Sequence, residues 1–240
     1  VARKADGSVW TWGSNFSGSL GDGSQTPRGS PGRVQNLPPA IQIAAGWDHV
    51  IVRAADGSAW AWGRNDYGQL GDETTLSRPK PLRIPALAGA TVVGAGALHS
   101  IAVTADGVAY AWGANWAGQL GVGTLVSRST PKAVAGGLLG VTQIAAGYEH
   151  SSARLLSGSV MTWGANWAGQ LGTGTRSYQY APITTPSLSQ VVSLAAGSSH
   201  TLVLTSEGTV KSFGNNAFGQ LADGTVTYFD VPRIVPGITN

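Results

Sequence analysis

One motif returns five times along this chain and restricts what it can fold into more than any other feature. An aromatic-Gly-x-Asn stretch reads Trp12-Gly13-Ser14-Asn15, Trp62-Gly63-Arg64-Asn65, Trp112-Gly113-Ala114-Asn115, Trp163-Gly164-Ala165-Asn166 and Phe213-Gly214-Asn215-Asn216, at spacings of 50, 50, 51 and 50 residues. A second landmark, small-Ala-Gly-x-x-His, closes on His49, His99, His150 and His200. A third is a hairpin signal at Asp6-Gly7, Asp56-Gly57, Asp106-Gly107, Ser157-Gly158 and Glu207-Gly208. A period of this length marks a repeat architecture, in which each copy is one supersecondary unit that buries its faces only against its neighbours.

Each copy reads as strands. Ile41-Gln42-Ile43-Ala44-Ala45 and Val191-Val192-Ser193-Leu194-Ala195 are short, β-branched and bounded by glycine. Another apolar run follows each His, as in Thr201-Leu202-Val203-Leu204. The Asp-Gly pair then supplies positive φ angles for a tight turn. Next comes Val9-Trp10-Thr11-Trp12 or Ala59-Trp60-Ala61-Trp62, where period two puts large rings on one face and small residues on the other. The sequence predicts a short outer strand near the Leu-Gly pair, then a proline-bearing link, residues 76–90 for example, to the next inner strand. Prolines 79, 81, 85, 131, 182 and 186 oppose helix. The fold class is therefore all-β: a β-propeller of four-stranded antiparallel blades. The chain is read as a single domain over 1–240, with repeats at approximately 1–40, 41–90, 91–140, 141–190 and 191–240.

Composition agrees and narrows the function classes. Glycine numbers 35, which suits many tight turns, and only 11% of residues are charged. The formal charge of +3 makes no strong field. The absence of cysteine removes disulfides and thiolate metal sites, and is compatible with a secreted or cell-surface protein. No stretch approaches the apolar length of a membrane helix. There is no Gly-rich phosphate loop, Gly-x-Ser-x-Gly elbow or His-Glu-x-x-His motif, so no catalytic residue, metal ligand or cofactor is assigned.

The pattern Trp112-Gly113-Ala114-Asn115-Trp116-Ala117-Gly118-Gln119-Leu120-Gly121, with Ala145-Ala146-Gly147-Tyr148-Glu149-His150, resembles the repeat of the regulator of chromosome condensation family. The resemblance covers essentially the whole chain. That family implies a seven-bladed ring, which at about fifty residues per blade needs about 350. Five aromatic-Gly strands against four Gly-x-x-His segments predict either a piece of a longer propeller, the favoured reading, whose open blade faces would invite self-association, or a smaller ring that closes in an unusual way.

Residues filled identically in every copy belong to the architecture: the four histidines, Asn15, Asn65, Asn115, Asn166 and Asn216, and the Trp-Gly rings, which should be core. Positions that vary are free to serve function. The dipeptide before each His is Trp47-Asp48, Ala97-Leu98, Tyr148-Glu149 or Ser198-Ser199. In an antiparallel meander this turn and the Gly-Asn loop emerge on one face. The candidate partner-binding residues are Trp47, Asp48, Leu98, Tyr148, Glu149 and Ser198 near the centre. Further out come Tyr67, Trp116 and Trp167, with Phe16 and Phe218; these outer rings are expected to tuck against their own blades. Arg28, Arg33, Arg78, Lys80, Arg83, Arg128, Lys132, Arg176 and Arg233 are expected on the opposite face and rim, a weak footprint for nucleic acid.

A non-catalytic scaffold that holds a macromolecular partner on this loop face is the function read from the pattern. The resemblance also implies alternatives: nucleotide exchange on a small GTPase with chromatin association, or a secreted enzyme inhibitor such as those of β-lactamases. A carbohydrate-binding module is a further alternative. Exchange activity needs inserts and a basic tail that the uniform copies lack. A UV-B photoreceptor would need Gly-Trp-x-His turns, and only Gly46-Trp47-Asp48-His49 matches.

Overall fold

The computed structural model describes residues 1–238. By internal contacts they form two compact units, Val1–Ala114 with Val126–Ala133, and Asn115–Leu125 with the chain from Val134 onward.

The first unit holds three antiparallel sheets. One is three-stranded: β1 (Ala2–Arg3), β2 (Val9–Gly13) and β3 (Arg28–Arg33). The second is β4 (Ala40–Ala45), β5 (His49–Ala54), β6 (Ala59–Gly63) and β7 (Arg78–Arg83). The third is β8 (Ala90–Ala95), β9 (His99–Thr104), β10 (Ala109–Gly113) and β11 (Arg128–Ala133). In the second unit, β12 (Val141–Ala146), β13 (His150–Leu155), β14 (Val160–Gly164) and β15 (Gln179–Thr184) form a four-stranded sheet. β16 (Val191–Ala196), β17 (His200–Thr205), β18 (Val210–Gly214) and β19 (Phe229–Ile234) form another. Strand order follows chain order in every sheet, the meander of a propeller blade.

Two local expectations change. The outer strand lies inside the proline-bearing segment, not at the Leu-Gly pair, and the crossing to the next inner strand shrinks to a few residues such as 84–89. Pro31, Pro81, Pro131, Pro182 and Pro232 all sit within these outer strands. An outer strand pairs on one side only, so the missing N–H costs no ladder bond. In the hairpins only the glycine takes positive φ (Gly57 at 78°), while Asp56 does not. Its carboxylate instead accepts the Ser58 N–H at 2.9 Å and hydroxyl at 2.6 Å, which closes the turn by an Asx bond.

Period-two burial explains the packing. In β6 the small residues Ala59 and Ala61 are fully buried, and Trp62 is buried on the other face. Trp62 joins Val9, Val34, Val50 and Val52 in one cluster. Trp112 joins Ile51, Leu70, Ile84, Leu87 and Val93 in another. In the second unit Phe213 packs with Val160, Leu188, Val191, Leu194 and Val203. Each cluster draws on two successive repeats, so neighbouring sheets supply each other's core.

Candidate functional site

The invariant residues build a buried scaffold under the loop face. In three successive copies the loop after the Trp-bearing strand reaches over the next repeat, and its carbonyl receives that repeat's indole. Trp62 Nε1–H donates to Ser19 O, Trp112 to Gln69 O and Trp163 to Gln119 O, each at 2.9 Å. The Leu-Gly pair is fixed by this contact. A Cβ on Gly21, Gly71 or Gly121 would stand 2.7–2.8 Å from the indole nitrogen, and each of these glycines already has positive φ. Trp12 departs from the expected core position, being 44% exposed.

The histidines take the structural role expected of a repeated position. His49 Nε2 lies 3.0 Å from Ser100 Oγ, whose hydroxyl donates to Gln69 O at 2.8 Å. His150 Nε2 lies 3.1 Å from Thr201 Oγ1, which donates to Gln170 O at 2.9 Å. Because each hydroxyl proton goes to a carbonyl, the imidazole donates through Nε2–H, and burial favours its neutral form. Burial pushes His49 down to about 4 and His150 down to about 3; His200, half-buried, is also lowered by desolvation. Each Asn amide holds its own loop: Asn65 Oδ1 accepts Leu70 N–H, and its Nδ2 donates to Thr74 O and Leu76 O. Among the described residues no group of three His, Cys, Asp or Glu side chains is placed to hold a metal.

Above this scaffold lie the variable residues. Trp47 is 62% exposed, with its N–H bonded to Ala97 O. Asp48 lies 4.0 Å from Arg64 Nη1, and Arg64 Nε is 2.7 Å from Asp66. Ser198 is exposed and its carbonyl accepts the Tyr148 N–H at 2.9 Å. Leu98 differs from its companions: it is 6% exposed and packs with Ala97 and Ala114, so its side chain faces inward. An apolar residue at a turn whose neighbours are alanines has a small pocket to fill.

Two of the outer rings reach to the next repeat. The Trp116 indole N–H donates to Glu149 Oε1 in the next repeat, and Trp167 meets Tyr228 of the next repeat edge-on at 6.2 Å. Phe16 and Phe218 stand free of the sheet, Phe218 being 93% exposed. They also occupy two registers. Phe16, Trp116 and Trp167 directly follow the loop Asn, whereas Tyr67 and Phe218 come one residue later.

The expected cationic rim divides. Arg28, Arg78 and Arg128 open their outer strands and pair in register with Gly13, Gly63 and Gly113, at the loop end of each sheet. Arg28 pairs with Asp22 at 3.0 Å and Arg78 with Asp72 at 2.8 Å. Burial alone would raise the Asp72 pKa; hydrogen bonds from Thr74, Arg78 and Asn65 outweigh it and leave the group lowered. Those two cations serve their own loops, which weakens the footprint for nucleic acid.

Arg64, Gln42 and Gln143 have roles that the motif reading passed over. Gln42 donates to Val93 O and accepts Val93 N–H, both at 3.0 Å, and Gln143 makes the same pair of bonds with Leu194. Both were visible as a glutamine recurring in alternate repeats. Arg64 was visible as the single cation at a position otherwise Ser14, Ala114, Ala165 and Asn215.

The family model for the regulator of chromosome condensation (RCC1) repeat matches residues 6–53, 56–103, 106–154 and 157–204, and a second model of that repeat matches 40–69, 141–170 and 191–220. The chain belongs to the RCC1 repeat family. No curated protein sequence matches it. Among solved structures, human WBSCR16 is similar at 24% identity and a TM-score of 0.84, over 96% of this chain and 63% of that one. Yeast RCC1 (Prp20), solved bound to Kap60, is similar at 23% identity and 0.83, over 95% and 57%. Prp20p of Saccharomyces cerevisiae, described with its binding to Gsp1p and histones, gives 23% and 0.84, over 98% and 60%. The chain thus spans about three fifths of the length of these proteins, and the likeness is one of fold.

Proposed function

We propose that this RCC1-repeat chain is a non-catalytic interaction module that holds a protein partner on the loop face formed by its His turns and Gly-Asn loops. One observation carries the reading: apart from Trp12 and His200, the recurring aromatic, His and Asn residues of the frame are buried, while those that vary include exposed rings and acids. Trp47, Tyr148 and Trp116 are each at least 36% exposed. Exposed aromatics on rigid turns are the usual anchors of a protein interface, because they offer large area at little entropic cost. The solved relatives described with Kap60, or with Gsp1p and histones, are consistent with protein partners for this architecture.

The test is chemical cross-linking of the chain in its cognate extract. A partner captured by the native chain should be lost in the Trp47→Ala, Tyr148→Ala double variant and kept in Glu207→Ala, a change on the opposite hairpins. Loss in both, or in neither, counts against this face. Exchange on a small GTPase is a second reading, supported by the Gsp1p-binding relative; accelerated release of a fluorescent guanine nucleotide from a GTPase would establish it.

A further inference from the structure

Two of the four variable turns carry an acid, and in both it follows an aromatic residue: Trp47-Asp48 and Tyr148-Glu149. A carboxylate beside a ring face attracts a cation twice over, by charge pairing and by the ring quadrupole. In the second repeat that charge is partly met within the molecule, since Arg64 stands 4.0 Å from Asp48. In the fourth repeat the residue aligned with Arg64 is Ala165, buried and uncharged.

Among the described residues no Lys, Arg or His forms an ion pair with Glu149. Its partner is the neutral indole N–H of Trp116. That bond orients the carboxylate without cancelling its charge, and it occupies only part of the acceptor capacity of two oxygens. Phe16, which stands to Asp48 as Trp116 stands to Glu149, has no N–H to give. Glu149 thus lies between the Trp116 indole (41% exposed) that bonds it and Tyr148 (36% exposed), its neighbour along the turn, with no ion-pair partner among the described residues.

We propose that Glu149, Tyr148 and Trp116 form a receptor for one cationic side chain, an arginine, of a protein partner. A guanidinium suits the site because its plane stacks on a ring while its edge pairs with a carboxylate. The inference rests on the loop face being the interaction surface, and it names the chemistry that this part of the face accepts.

The isotope-labelled chain is titrated with the capped tripeptide acetyl-Gly-Arg-Gly-amide while the Trp116 indole resonance, assigned by its loss in Trp116→Phe, is followed by NMR. Acetyl-Gly-citrulline-Gly-amide is the neutral isostere, and maltohexaose tests for a sugar platform. The arginine peptide should shift the resonance saturably in the millimolar range, and citrulline should bind about tenfold more weakly. Glu149→Gln keeps an acceptor for Trp116 but removes the charge, and should weaken arginine binding by about tenfold while the other resonances stay in place. No saturable shift, an equal response to citrulline or maltohexaose, or unchanged binding in Glu149→Gln would overturn the proposal. Should it fail while the Trp47→Ala, Tyr148→Ala variant still loses its cross-linked partner, the loop-face reading stands; should that variant lose nothing, the reading itself falls.

Discussion

Asp48 and Glu149 occupy the same point of the second and fourth repeats, on the same turn above the same buried histidine. Arg64 answers the first, whereas an indole N–H from the preceding loop meets the second. The backbone is shared because both turns rest on the same bonds: His49 to Ser100 and His150 to Thr201. The charge balance differs because it depends on side chains that the blade does not use. A repeat protein can in this way hold its frame constant and change recognition one turn at a time.

The shared half should dominate stability, and the largest effect lies there. Trp112→Ala removes a fully buried ring together with its bond to Gln69 O, and is expected to cost about 3–5 kcal/mol in urea denaturation. Trp12→Ala, at a Trp-Gly ring that is 44% exposed, should cost less than half of that. Equal losses would break the distinction between buried and exposed rings of the frame.

The histidines come next. His49 and His150 have folded pKa values of about 4 and about 3, below the ordinary 6.5 of an imidazole. The unfolded chain therefore binds protons first. The stability that these groups confer is complete above about pH 6.5 and is lost as pH falls toward their folded values. Thermal melts from pH 7 to pH 4 should show a falling midpoint. His150→Gln should flatten that fall even though it lowers the midpoint at pH 7.

The smallest change in stability should come from the exposed half. Arg64→Ala removes a largely solvated cation and is expected to alter stability by less than about 1 kcal/mol. The same change frees Asp48 beside Trp47, so the second repeat should gain weak binding of the arginine tripeptide, seen as a new set of shifting resonances around Trp47. If stability drops sharply instead, Arg64 belongs to the frame, and the contrast between the two turns was misdrawn.

Much of this was legible in the residues. The fifty-residue spacing, the alternation of Ala59-Trp60-Ala61-Trp62 and the Gly-x-x-His turn define the strands and their order, because side-chain period and turn geometry are local properties. The outer strand was misplaced because its prolines read as linker; only pairing with β6 shows that 78–83 is a strand edge where proline is harmless. The burial of Leu98 was equally hidden, since a turn residue's direction depends on the room left by Ala97 and Ala114.

The amino-acid order alone settled the number of copies, the inner strands within each and the positions at which the copies differ, all of which follow from short-range periodicity. Tertiary structure decided which of the free positions meet. The Trp116 indole finds Glu149 across 33 residues of chain, and Arg64 reaches Asp48 from the far side of a hairpin. Repeats bury their faces against one another, so contacts between successive copies are set by packing, and no pattern within a single copy contains them.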